Sequence, residues 1–233
     1  MREPADKVRA EAVRGIFSRI AGKYTLANRW MTWGQDGFWR KKVLELAHLP
    51  EGGMLLDLGT GTGDLALQAI HTDDSLFTIG ADFTPEMMQV GRKRQGGNLV
   101  RWLNTDALNL PFCAESFDAL VSGYLLRNVI DVNRVLAEQY RVLKSGGRMV
   151  SLDTSPPPTD MWHIPVRLYL KYFVPLIGDA ISGDWKAYAY LADSTQHFMN
   201  AEELKARVVK AGFKEAGFHL FMGGSMAIHW GIK

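Results

Sequence analysis

The chain has 233 residues, 47% of them hydrophobic, and a formal net charge of +2. That length suits one well-buried core and is long for two, so a single domain over 1–233 is expected. A charge this small gives no basis for a polyanion partner, which weighs against a nucleic-acid-binding reading, and the one cysteine, Cys113, has no partner for an internal disulfide and fits a reducing compartment.

In chain order, residues 1–7 carry no apolar core of a secretory signal, so none is expected. Residues 1–47 read as a helical cover: Val13, Phe17, Ile20 and Tyr24 recur at helical spacing, as in an amphipathic helix lying over a sheet edge. Trp30, Trp33, Phe38 and Trp39 follow, and they fit either simple core packing or an apolar lid over a hydrophobic substrate.

The run Leu55-Leu56-Asp57-Leu58 then breaks into Gly59, Gly61 and Gly63 at alternate positions. This is a strand entering a tight loop that lets a ligand approach the backbone. It is not a dinucleotide fingerprint, because Asp64 stands where a glycine or alanine is needed, and no G-K-[ST] follows for a P-loop. The spacing suits a nucleoside without a pyrophosphate. Residues 77–82 form a second strand ending in Asp82, 19 residues after Gly63, where a βαβ return brings a carboxylate over the glycine loop to accept from ribose hydroxyls.

A third β-rich run, 100–107, closes on Asp106-Ala107, placed to accept from an exocyclic adenine amine, and 116–123 reads as a fourth strand ending in Ser122-Gly123. Helical stretches over 84–95 and 131–144 alternate with these strands. Lys144-Ser145-Gly146-Gly147 ends the second helix, and 148–153 is a fifth strand. Strands alternating with helices in this way give an α/β, doubly wound, mostly parallel sheet, whose ligands sit at the carboxyl ends of the strands.

Residues 156–185 begin with three prolines and continue through Trp162, Leu168, Leu170 and Phe173, interrupted by Pro165, Arg167, Lys171 and Pro175, so they fail as a membrane span. Two readings stay open for this insertion: a substrate cover resting on a membrane interface, or a buried helical hairpin. The six histidines form no paired ligand spacing, so no metal site is expected.

Taken together, Asp57-x-Gly59-x-Gly61-x-Gly63, Asp82, Asp106-Ala107, Ser116-Phe117-Asp118 and the 141–147 segment resemble the motif series of class I S-adenosylmethionine-dependent methyltransferases. More narrowly, Phe17 to Tyr24, Leu126-Arg127-Asn128, Tyr188 to Ser194 and Ala227-Ile228-His229 resemble the ubiquinone/menaquinone biosynthesis C-methyltransferases from about Gly15 onward. The chain departs from that pattern at Thr25, Gly123-Tyr124-Leu125, Asp153 to Pro157 and Trp230, mostly on the substrate side.

The resemblance implies a Rossmann-like sheet of seven strands and methyl transfer from S-adenosylmethionine to a ring carbon of a polyprenylated quinol. It implies a cofactor site of Asp57, Gly59, Gly61, Thr62, Asp82, Asp106, Ala107, Ser122 and Gly123. Arg127 is the candidate for stabilising a phenolate, its alternative being an ion pair near Asp131; Asn128 would orient a hydroxyl, and Asp153 is either a base or a structural acceptor. Tyr188 and His197 are further candidates for the base. A cytoplasmic protein is expected, with peripheral contact at the inner face of a membrane and a homodimer left open. Two other readings remain: methylation of another apolar molecule such as a phenol, sterol or polyketide, and cofactor binding without catalysis.

Overall fold

A computed structural model describes residues 4–157 and 161–233; Pro158, at the start of the insertion, lies outside them. Seven strands form one sheet in the order β3-β2-β1-β4-β5-β7-β6. They are β1 Met54–Leu58, β2 Phe77–Asp82, β3 Arg101–Asn104, β4 Phe117–Gly123, β5 Leu143–Thr154, β6 Lys214–Phe221 and β7 Met226–Ile232. The first five pair in parallel, and β7 runs antiparallel to both β5 and β6.

β1 is apolar at nearly every position because both of its faces are covered, as parallel strands require. Alternation sends Leu55 and Leu56 to opposite sides. On one face α3 (Asp36–Ala47) and α4 (Asp64–Thr72) pack Trp39, Val43, Leu65 and Ala69 against Leu55, Val121 and Val150. On the other, α6 (Val132–Val142) and α10 (Ala201–Lys210) set Val135, Leu136, Leu204 and Val208 on Leu56, Leu120 and Met149. β1 lies between β2 and β4, the point at which strand order reverses, and a crevice opens there at the carboxyl ends.

The helix expected over 131–144 stops at Val142. Leu143 is already extended and fully buried beside Phe117, so β5 begins there and absorbs Lys144-Ser145-Gly146-Gly147 as an irregularity in the ladder. Gly146, at φ +78°, makes that turn without a Cβ penalty.

The N-terminal cover and the insertion form one helical layer. α1 (Pro4–Ile20) and α2 (Tyr24–Met31) bury Ile20, Tyr24, Ala27 and Met31 against Val174, Ala187, Tyr188 and Leu191 of α8 (Val174–Ser182) and α9 (Trp185–Gln196). A Cβ at Gly178 would overlap the Tyr188 ring, so only glycine lets α8 and α9 meet this closely. The tryptophans divide between the two readings: Trp39 is core, whereas Trp30 and Trp33 are exposed.

His229 on β7 is buried, with Nε2 2.9 Å from the carbonyl of Ala201 and Nδ1 unpartnered. Burial pulls its pKa down to about 4 from 6.5. The unfolded chain therefore binds the extra proton between pH 6.5 and 4, and the stability this residue contributes above pH 6.5 is lost as pH falls through that window. Denaturant midpoints measured at pH 7 and pH 4.5 should differ by a destabilisation of roughly 2–3 kcal/mol traceable to His229. In His229→Gln that acid-dependent loss should largely disappear, and an unchanged pH dependence would contradict it.

Candidate active site

The crevice at the carboxyl ends of β1, β2 and β4 deepens into a cavity roofed by α1, α2 and α3. Its floor is the glycine loop. Gly59 (φ +71°) donates to the Ala81 carbonyl at 2.8 Å, and a Cβ there would come within 2.9 Å of Leu125. Gly63 (φ +80°) starts α4 in the left-handed region with the Trp102 indole where a Cβ would stand. These contacts fix the loop beside the N-terminus of α4, where backbone N–H groups favour an anion.

Three carboxylates at successive strand ends surround this loop. Asp57 Oδ2 accepts from Thr60 Oγ1 at 2.6 Å and from the Ala66 N–H at 3.0 Å, while its Oδ1 is buried with no hydrogen bond. Burial pushes the Asp57 pKa up to about 7. Asp82 accepts from Gly61 N–H and Thr84 N–H, both at 2.7 Å, and burial likewise raises its pKa. Asp106 Oδ1 accepts from Leu108 N–H at 3.0 Å, with Ala107 beside it on the cavity wall. Thr62 Oγ1 lies 2.9 Å from Thr25 Oγ1, which ties the loop to α2. Arg94 braces the loop from outside by donating to the Thr62 carbonyl at 2.9 Å and to Asp64 at 2.6 Å.

Gly123 lines the cavity, but Ser122 does not: it points the other way, fully buried, and donates to Ser151 Oγ at 3.1 Å. Arg127 pairs with Asp153 and not with Asp131. Its Nη1 is 3.1 Å from Asp153 Oδ1, and its backbone N–H donates to Oδ2 at 3.2 Å. Asp131 instead caps α6 through the Arg134 N–H. Asp153 takes a further bond from the Thr154 N–H, its pKa is raised by burial, and neither Arg127 nor Asp153 lines the main cavity. The Arg127 guanidinium lies 4.9 Å from the ring centre of Tyr124, whose φ of +59° turns that ring back over it.

Asn128 does face the cavity. It donates to the Tyr124 carbonyl at 2.7 Å and accepts from the Tyr190 hydroxyl at 3.3 Å. Tyr188 is fully buried in the helical layer, and His197 is exposed beside Asp193, so neither reaches the cavity.

Asn28, Asp36 and Arg40, which line the cavity from α2 and α3, carried no signal in the sequence. Tyr124, from the turn after β4, lines it too and stands among the departures on the substrate side. Val13, Phe17, Leu58, Leu125, Val129 and Ile130 make much of the remaining wall apolar.

The model of the ubiE/COQ5 methyltransferase family matches residues 5–233. A ubiquinone/menaquinone biosynthesis C-methyltransferase from Desulfotalea psychrophila is 45% identical over 95% of this chain and 90% of its own length. A demethylmenaquinone methyltransferase from Thermus thermophilus is 40% identical over 94% of this chain and 100% of its own. Among solved structures, a SAM-dependent methyltransferase of Thermotoga maritima superposes with a TM-score of 0.62 at 24% identity, covering 95% of this chain and 99% of that one, a likeness that bears on the fold. With a match of this extent, and with the strand-end acids and glycine loop it includes, the chain belongs to the ubiE/COQ5 methyltransferase family and is a methyltransferase enzyme.

Proposed function

We propose that the protein transfers the methyl group of S-adenosylmethionine to a ring carbon of a polyprenylated quinol. The observation that carries this reading is the joining of two unlike halves in one cavity: a polar half of glycine loop and strand-end carboxylates, and an apolar half under the helical roof. The buried, unpartnered Oδ1 of Asp57 fits an ammonium, Asp82 fits ribose hydroxyls, and Asp106 with Ala107 fits an adenine. When bound, the cofactor supplies an electrophilic methyl on a sulfonium. The apolar half suits a quinol ring, and the relatives named for quinone biosynthesis support that substrate class. Asn128 is the cavity-facing group suited to orient a ring hydroxyl, with Arg127 and Asp153 holding its turn from behind. Expression in a bacterium lacking its own quinone C-methyltransferase tests the proposal: methylated quinone should reappear, and persistence of the demethylated quinone alone would overturn it.

No helix among the described residues is long and apolar enough to cross a membrane. The proposal extends to contact with a bilayer surface through the helical roof. Trp33, 73% exposed, stands 6.3 Å from the Tyr169 ring, which stacks on Phe173 at 6.0 Å, and Leu168, Tyr172 and Leu176 are exposed around them. Lys23, Arg29, Lys41 and Lys171 are exposed in the same segments, 22–42 and 161–182, where the acids are buried Asp36 and half-buried Asp179. Exposed cations and exposed aromatic side chains carried by the same segments suit an anionic headgroup layer. Leu170 is half-buried against the helical layer and belongs to packing. Replacing Trp33 and Phe173 with Ser should lower co-sedimentation with anionic vesicles roughly tenfold or more while leaving thermal stability nearly unchanged. Equal partitioning of parent and variant would remove this surface from the proposal.

A further inference from the structure

We infer that Asp36 is the catalytic base, taking the proton from the acceptor hydroxyl as the ring carbon attacks. This deepens the proposed quinol methylation and rests on it. Five carboxylates line the cavity. Asp57 and Asp82 already accept a backbone N–H around the glycine loop, and Asp106 accepts one from Leu108 in its own turn. Asp64 holds Arg94 at 2.6 Å and Thr25 at 3.3 Å.

Asp36 shares with Asp57 a buried oxygen that has no hydrogen bond, but it stands on α3, away from the glycine loop. Its side chain is 5% exposed, Arg40 Nη2 pairs with Oδ2 at 2.8 Å, and that buried oxygen has no hydrogen bond among the described residues. A buried carboxylate oxygen with a charge partner and no hydrogen bond has acceptor capacity left, and a phenol O–H entering the cavity supplies a donor.

Its surroundings place it at the acceptor end. Arg40, from the same helix, reaches Asp64 on α4 at 3.6 Å, so the guanidinium stays fixed between two acids. Tyr124 faces Asp36 and Arg40 from the turn after β4, and burial holds its phenol well above the ordinary tyrosine range. Tyr24 lines the cavity from α2 and is likewise raised by burial, so neither tyrosine competes as an anion near neutral pH. Two residues further along α3, Phe38 is exposed, and Trp33 stands just before the helix. Asp36 thus lines the same cavity as the glycine loop, from a helix whose first turn also carries an exposed aromatic side chain.

In the step, the acceptor O–H bond breaks and its proton goes to Asp36. The electron pair released into the ring forms the new carbon–methyl bond, and the electrons of the methyl–sulfur bond stay on sulfur. The proton on the methylated ring carbon then moves to the ring oxygen, restoring the aromatic hydroxyl. One proton per turnover leaves from Asp36 to solvent.

Single-turnover kinetics with saturating S-adenosylmethionine and a reduced short-chain demethylmenaquinone test this. Asp36→Asn should slow the chemical step roughly 10²- to 10⁴-fold with cofactor affinity within about twofold, the range expected for loss of a general base. The deficit should shrink for a halogenated quinol whose hydroxyl ionises without help, which a merely structural role would not produce. Asp36→Glu, which keeps the charge beside Arg40, should retain much of the rate and move the acidic limb of the pH–rate profile. A chemical step within a few-fold of the parent in Asp36→Asn, an equal deficit on both quinols, or an acidic limb unmoved in Asp36→Glu would overturn the assignment. A parent enzyme that methylates neither quinol would overturn the functional reading beneath it instead.

Discussion

Asp153→Ala is expected to destabilise the protein by about 3–5 kcal/mol, the cost of stranding one member of a buried ion pair. The Arg127 and Asp153 side chains are 5% and 1% exposed, so removing the carboxylate leaves a guanidinium buried without its counter-charge. It also leaves the backbone N–H groups of Arg127 and Thr154 without the oxygens they donate to. Arg127 has nothing in reserve, because its Nε is already buried without a partner and its other contacts are Thr154 Oγ1 and the face of Tyr124. The same bonds anchor the turn Leu126–Asn128, so turnover should fall with stability as Asn128 loses its place beside the cavity. Denaturant unfolding decides the first part. Arg127→Met combined with Asp153→Leu should recover much of the lost stability while turnover stays low, since apolar replacement of both partners removes the unpaired charge. A single variant as stable as the parent would mean that the pair contributes nothing to the fold.

Asp82→Ala should weaken S-adenosylmethionine binding by about 1.5–3 kcal/mol, a factor of roughly 10 to 150. The carboxylate is held in place by the Gly61 and Thr84 N–H groups, and its remaining lone pairs point the proposed ribose acceptor toward the cavity. Because Asp82 also tethers Gly61, part of the loss would come from a looser glycine loop, and Asp82→Asn, which keeps one acceptor oxygen, should fall between Ala and the parent. Titration calorimetry showing unchanged affinity in Asp82→Ala would contradict the cofactor geometry.

The gathering of the strand-end acids at one cavity was legible in the sequence because its signal is local. Asp57, Asp82 and Asp106 each follow an apolar run, and a parallel sheet brings all such strand ends to one edge. Ser122 and Gly123 show the limit of that reading: neighbours in a strand face opposite sides, so only one of them can meet a ligand, and the register puts Gly123 there. The partner of Arg127 was hidden for a different reason. Asp131 is four residues away, whereas Asp153 is 26 residues away and becomes a neighbour only when β5 pairs with β4. Asp36 gave no signal at all, since an acid at the start of a helix reads as an ordinary first-turn residue. The split among the tryptophans was equally unreadable, because Trp39 lies on the inward face of α3 and Trp33 on the connection before it.

Transfer of isotopically labelled methyl from S-adenosylmethionine to a reduced demethylmenaquinone or demethylated benzoquinol precursor, with the product's attachment atom read by NMR, tests the central claim most directly. The account predicts label on a ring carbon of a quinol, in equal amount to the S-adenosylhomocysteine formed. Label on a hydroxyl oxygen, or no transfer to either quinol by protein that binds the cofactor, would contradict it.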